Sequence, residues 1–168
     1  MNGDYLALAE RLRVTVVDLQ RVVERAETMR RKAVASDEEG FWDAVALNLH
    51  SFYAGVEQAF EGIAAVMDRS VPKGPNWHQD LLLQMSAPLG KVRPAVIVRK
   101  TRACLDEYRE FRHVVRNIYP FNLRPARLQE LMEGLGTCLK GVSADLSAFA
   151  AFLENTGLAD EDPAPSPH

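Results

Sequence analysis

The chain has 168 residues, a net charge of −3, 47% hydrophobic residues and 26% charged residues. This length allows one domain with a substantial core, and the composition is that of an ordinary globular protein. The sequence lacks the run of about eighteen apolar residues that a membrane-spanning helix needs, so we expect no membrane association. The mild negative charge excludes indiscriminate binding to nucleic acid.

The two cysteines, Cys104 and Cys138, each fall on the apolar side of a predicted helix. Isolated cysteines in such positions are typical of buried, reduced thiols, so we predict two free thiols in a cytoplasmic protein. No spacing of cysteine and histidine resembles a metal site, and the sequence predicts neither a bound metal nor a cofactor.

Apolar residues recur every three or four positions along most of the chain, which is the pattern of amphipathic helices. We predict four long helices and one short helix, over residues 3–35, 36–68, 77–86, 97–119 and 125–154. Ser36 and Glu39 have the spacing of a capping box at the start of the second helix. Asn76 is in position to cap the short third helix, which follows a loop rich in proline and glycine.

These elements predict an all-α fold, an antiparallel bundle of four long helices plus one short helix, in a single domain of residues 1–156. The first two helices are expected to form an antiparallel hairpin. Residues 157–168 are acidic and rich in proline, so we predict a disordered tail there. No segment has the alternating pattern of a β-strand.

Cationic and polar side chains are concentrated near the end of the fourth predicted helix. At about 100° per residue, Arg109, His113 and Arg116 lie on one side of this helix, with Asn117 beside them. The opposite side carries an apolar stripe of Cys104, Tyr108, Phe111, Val115 and Ile118. Arginine presents a planar fork that matches phosphate oxygens, and histidine titrates near neutral pH. The pattern therefore predicts an exposed site for an anionic ligand.

A simpler interpretation of the same residues remains open. Arginines on an exposed helix face often pair with neighbouring acidic side chains, and Arg109 and Arg112 have glutamates nearby in the sequence. His78 is expected to line a groove beside the cluster, and Trp77 to anchor the short helix in the core. The aromatic residues between Tyr119 and Arg124 favour base stacking next to the cations.

Residues 77–85, 93–97 and above all 108–123 resemble the HEPN superfamily, small all-α ribonucleases and nucleotide-binding proteins. They are most similar to HepT-like toxins, which pair with a nucleotidyltransferase antitoxin. The family motif is an arginine, often followed by asparagine, then a short spacer and a histidine. Arg116 and Asn117 match its first half, but no histidine follows them at the family's distance. Arg109 precedes His113, with a spacer one residue shorter than the family's.

The resemblance implies metal-independent cleavage of RNA at a composite site between the two fourth helices of a homodimer. It implies that His113 is the acid or base of this reaction. Arg112 and Arg116 then stabilise the charge on the phosphate, and Asn117 positions the phosphate by hydrogen bonding.

The resemblance also implies how the RNA is held and how the activity is controlled. Arg109, Arg124 and His78 are expected to contact the RNA. The antitoxin is expected to transfer AMP to Tyr119, which would place bulk and negative charge where the RNA phosphate binds. Two alternatives stay open: a noncatalytic module of this type that binds RNA, a nucleotide or a partner, and a helical interaction protein without a ligand.

Overall fold

The computed structural model describes residues 2–118 and 123–159, including all of their side chains except those of residues 2 and 116–118. This part of the chain contains no strand and forms five α-helices, α1 Asn2–Ala35, α2 Glu39–Ile63, α3 Trp77–Met85, α4 Arg99–Ile118 and α5 Pro125–Ala159. The predicted all-α fold, with four long helices and one short helix, is confirmed. None of these helices is both long and apolar enough to cross a membrane.

The first helix makes the most extensive packing contacts in the bundle. It packs along both α2 and α5, and its seam of Leu12, Leu19 and Ala26 is buried between them. The connection of residues 36–38 turns the chain back along α1, as the predicted antiparallel hairpin requires. The short helix α3 packs against α2 and α4. Helices α2, α3 and α4 therefore pack against one another.

The predicted capping box of Ser36 and Glu39 is wrong, whereas Asn76 holds the predicted N-cap position of α3 without a side-chain hydrogen bond. The hydroxyl of Ser36 accepts a hydrogen bond from the backbone N–H of Glu38 at 3.1 Å, and both residues precede the first residue of α2. Glu38 itself holds the N-cap position of α2 and makes no side-chain cap. Asn76 is the N-cap of α3, but its carbonyl rather than its side chain accepts the N–H of Asp80. Local turn bonds of serine compete with the capping box and prevail at this connection.

The second helix ends in a π-helical turn, Ala64–Asp68, instead of continuing as a regular α-helix. This turn carries Asp68 against Arg93, whose Nε lies 2.5 Å from Oδ1 and whose Nη2 lies 2.7 Å from Oδ2. The two side chains are 3% and 1% exposed. Gln84 of α3 donates to the same carboxylate at 2.7 Å. A buried ion pair thus joins the end of α2 to the connection between α3 and α4.

The fifth helix continues past its predicted end at residue 154 to Ala159, the last described residue. Residues 157–159 are therefore helical rather than part of a disordered tail. The remaining tail, residues 160–168, lies outside the described residues, and its disorder stays a prediction.

Cys104 of α4 and Cys138 of α5 are joined in a disulfide, so the prediction of two reduced thiols is wrong. Their Cα atoms are 5.8 Å apart, within the usual span of such a bond. Sequence periodicity placed each cysteine on an apolar face, but it carried no information on which faces meet. The bond also removes the argument by which reduced thiols indicated the cytoplasm.

Reduction of this disulfide should lower the free energy of unfolding by about 2–4 kcal/mol, because the bond restricts the unfolded chain between α4 and α5. Urea unfolding with and without dithiothreitol measures the change. A double variant with Cys104→Ser and Cys138→Ser should unfold identically in both conditions. Equal stability of the wild-type protein with and without the reductant would contradict the prediction.

Tyr108 sets the rotation of α4 about its axis. Its hydroxyl donates to the carbonyl of Leu131 in α5 at 2.7 Å, and its ring meets Phe52 of α2 edge-on at 5.4 Å. Burial raises the pKa of this phenol, so the hydroxyl stays a neutral donor. Tyr108 and Phe111 are buried, as the predicted apolar stripe requires. The other side of the helix consequently faces away from the core.

Candidate functional site

A cavity of about 510 Å³ opens where α3 meets α4. Two short segments line it, one at the start of α3 and one on the outward side of α4. The lining residues are Pro75, Asn76, His78, Gln79, Arg109, Arg112 and His113. The cavity thus combines two guanidinium groups with two imidazoles.

The two arginines of α4 that line the cavity differ in their hydrogen-bond partners. Nε of Arg109 donates to Oδ1 of Asp106 at 2.7 Å, and a second nitrogen lies 3.9 Å from Glu110. Arg112 places Nη1 3.3 Å from Nε2 of His78, while its buried Nε has no hydrogen-bond partner among the described residues. His113 is exposed at the mouth of the cavity. Pairing of Arg109 with acidic neighbours agrees in part with the simpler interpretation of this face.

A buried carboxylate that the sequence analysis missed lies behind the cavity. Glu57 of α2 is 5% exposed in its side chain, and its Oε2 lies 2.6 Å from Nδ1 of His78. Its other oxygen lies 4.0 Å from Nε of Arg112. One signal was available in the sequence. Glu57 lies on the apolar face of α2, close to Val56 and Phe60, where an acidic residue needs a buried partner.

Tyr53 lies one turn before Glu57 and is also buried. Burial raises the pKa of its phenol, and the negative charge of Glu57 raises it further, while Arg109 and Arg112 act in the opposite direction. Tyr53 therefore remains neutral next to the charged groups. It adds no charge to the groups around Glu57.

The start of α3 contributes backbone polarity to the cavity. Asn76 is the N-cap of this helix and His78 and Gln79 belong to its first turn, where N–H groups and the helix dipole favour anions. The ring of Trp77 lies against that of His78, with centroids 3.6 Å apart. Trp77 also packs against the core, as predicted. The cavity therefore suits a ligand with negatively charged oxygens.

The cavity brings together four of the residues that the sequence predicted for the site, His113, Arg112, Arg109 and His78. It does not include Arg124, which is exposed and lines a separate groove with Arg127 between α4 and α5. The side chains of Arg116 and Asn117 lie outside the described part of the structure, as does Tyr119. The roles of these three residues remain predictions.

The all-α bundle, with its charged cavity beside the fourth helix, is consistent with a HEPN-like protein. The sequence profile of the HepT-like protein family matches residues 44–153. Because this match covers more than half of the chain, the protein belongs to the HepT-like family. No curated protein and no solved structure matches the chain. The matched region contains every residue of the cavity and Glu57.

Family membership gives the chain a general class. The HepT-like family belongs to the HEPN superfamily, whose members are generally ribonucleases, and it suggests a toxin module of HEPN type. The resemblance inferred from residues 108–123 is thereby confirmed at the level of the family.

Proposed function

We propose that this protein is an endoribonuclease toxin that cleaves RNA without a metal ion, in the cavity between α3 and α4. The observation that supports the proposal is the convergence of His78, Arg109, Arg112 and His113 on one cavity of about 510 Å³. Guanidinium groups stabilise the charge on a phosphate, and imidazoles transfer protons near neutral pH. Cleavage of a phosphodiester by its own 2′-hydroxyl needs both kinds of group.

The proposed reaction forms a bond between the 2′-oxygen and phosphorus while the bond from phosphorus to the 5′-oxygen breaks. A base accepts the 2′-hydroxyl proton, and an acid donates a proton to the leaving 5′-oxygen. His113 at the mouth of the cavity performs one of these transfers. Arg112 stabilises the crowded phosphate with its donors, and Arg116 and Asn117 of the same helix assist it. The products are a 2′,3′-cyclic phosphate and a 5′-hydroxyl.

The functional unit that we propose is a homodimer in which the fourth helices of two copies form a composite site. A two-fold axis doubles the number of cations around one RNA strand without further residues from the sequence. A nucleotidyltransferase antitoxin would then inactivate the toxin by transferring AMP to Tyr119. In the sequence, Tyr119 comes directly after the last residue of α4. AMP on Tyr119 would therefore add its phosphate only a few positions from the proposed catalytic residues of that helix.

Expression of the wild-type protein should arrest growth, and the purified protein should cleave single-stranded RNA. His113→Ala should lower the rate of cleavage by about 100-fold, because it removes a group that transfers a proton in the transition state. Gel analysis of labelled RNA measures this rate. His50→Ala is the matched control, since His50 lines a different groove, between α2 and Val115 of α4. Equal cleavage by wild type and His113→Ala would refute the role of His113.

A noncatalytic module that binds RNA or a nucleotide is the second candidate. The order of the motif favours it, because no histidine follows Arg116 and Asn117 at the distance that the family's catalytic motif has. This candidate predicts that wild-type protein binds RNA with a steep dependence on salt and leaves the RNA intact. Cleavage that depends on His113 would exclude it.

A further inference from the structure

The pair of Glu57 and His78 has the arrangement of a proton-transfer group. The distance of 2.6 Å from Nδ1 of His78 to Oε2 of Glu57 is that of a strong hydrogen bond. Glu57 is 5% exposed in its side chain, whereas His78 is 22% exposed and lines the cavity. A buried carboxylate thus holds a histidine that a ligand in the cavity can reach.

The neighbours of His78 determine which of its nitrogens carries the proton. A carboxylate only accepts hydrogen bonds, so the proton lies on Nδ1. Nε2 then keeps its lone pair, and it lies 3.3 Å from Nη1 of Arg112, a group that only donates. The same neutral tautomer satisfies both contacts. The ring of Trp77, stacked on the imidazole, further limits its rotation.

We propose that His78 is a second catalytic residue, the general base that accepts the 2′-hydroxyl proton on Nε2, and that Glu57 is its positioning residue. The inference rests on the proposed ribonuclease function and assigns its missing proton acceptor. As the 2′-oxygen bonds to phosphorus, its proton moves to Nε2, and Glu57 stabilises the resulting imidazolium. His113 donates the proton that the leaving 5′-oxygen takes up. One protomer then supplies both imidazoles.

Arg112 links the base to the phosphate. In the structure its Nη1 lies at hydrogen-bond distance from Nε2 of His78, so that the lone pair of Nε2 is engaged by Arg112. A bound phosphate offers stronger acceptors for these donors, so the guanidinium turns toward the phosphate oxygens and releases Nε2. The base therefore becomes available when the RNA phosphate is in place.

The test compares three variants with the wild-type protein in steady-state cleavage of a short RNA. His78→Gln should lower kcat by about 100-fold and Glu57→Gln by at least about tenfold, with KM changed less than about twofold in both. Glu61→Gln is the matched control, because Glu61 lies one turn further along α2 and lines a different groove. It should cleave like the wild type. Thermal melting verifies that each variant is folded.

A second measurement reports on the tautomer without any cleavage. In nitrogen-15-labelled wild-type protein, the Nδ1 proton of His78 should resonate far downfield, as expected for an imidazole bound to a carboxylate. His78→Gln should remove this resonance, and Glu57→Gln should move it upfield. If Glu57→Gln fails to fold, the variant His78→Gln, at a side chain that is only partly buried, still decides the assignment through its kcat.

Two kinds of failure are distinguishable. If wild-type protein cleaves RNA and both His78→Gln and Glu57→Gln keep the wild-type kcat, His78 is not the base, while the proposed function survives. If wild-type protein cleaves no RNA, the proposed function fails, and the catalytic role of His78 fails with it. The downfield resonance would then mark Glu57 and His78 as a purely structural link between α2 and α3.

Discussion

Asp68→Ala should lower the free energy of unfolding by about 3–5 kcal/mol, because it leaves the guanidinium of Arg93 buried without its counter-charge. Both side chains are almost completely enclosed, and the two parallel contacts of 2.5 and 2.7 Å form the bidentate geometry of arginine with a carboxylate. Arg93 also donates to the carbonyl of Ala87, so its displacement disturbs the connection between α3 and α4. Urea unfolding followed by circular dichroism measures the loss.

An exposed ion pair provides the control for this prediction. Arg13 of α1 and Glu154 of α5 form a hydrogen-bonded pair at 2.7 Å, but solvent surrounds both side chains. Arg13→Ala should therefore leave the free energy of unfolding nearly unchanged. A double variant with Asp68→Leu and Arg93→Met should recover only part of the stability, because no unpaired charge stays buried but the carbonyl of Ala87 loses its donor. A loss of less than about 1 kcal/mol in Asp68→Ala would show that water reaches Arg93.

Arg112→Ala should lower the rate of RNA cleavage by about 100–1000-fold, the effect of removing one donor that stabilises charge in a transition state. The side chain is 16% exposed, lies in the cavity wall and contacts both His78 and Glu57. Its loss removes the cation from the phosphate and leaves the carboxylate of Glu57 with one fewer neighbour. Arg112→Lys should recover only part of the activity, because an ammonium group lacks the planar fork.

Arg13→Ala also controls for the loss of one positive charge in this assay, since Arg13 pairs with Glu154 and is not among the residues that line the cavity. Single-turnover cleavage with excess enzyme separates the chemical step from RNA binding. If Arg112→Ala weakened binding but kept the single-turnover rate, Arg112 would only position the RNA. The assignment of charge stabilisation to this residue would then be wrong.

Periodicity in the sequence was sufficient for the helices and for the face that each one buries. The buried residues follow the spacing of a helix, as in Leu12 and Leu19 of α1 or Tyr108 and Phe111 of α4. Apolar side chains at that spacing are buried whichever helix packs against them. The placement of Arg109, Arg112 and His113 on the outward side of α4 follows from the same rule. The fold class and the side of the cavity that α4 forms were therefore predictable.

The partners of these residues were not predictable, because they come from other helices. His78 and Arg112 are 34 positions apart, and Glu57 and His78 are 21 apart. The disulfide between Cys104 and Cys138 depends in the same way on the packing of α4 against α5. No pattern within one helix predicts which side chains of two different helices will be close in space, since this depends on how the helices cross and how each is rotated.

The sequence by itself determined an all-α bundle with cations and a histidine on the outward face of its fourth helix. Only the tertiary structure decided that His78, already expected beside the cluster, contacts Arg112 and a buried Glu57, and that Arg124 belongs to a separate groove. The physical reason is that amphipathic spacing acts within one helix, whereas a buried charge selects its partner among all the groups that packing brings near it.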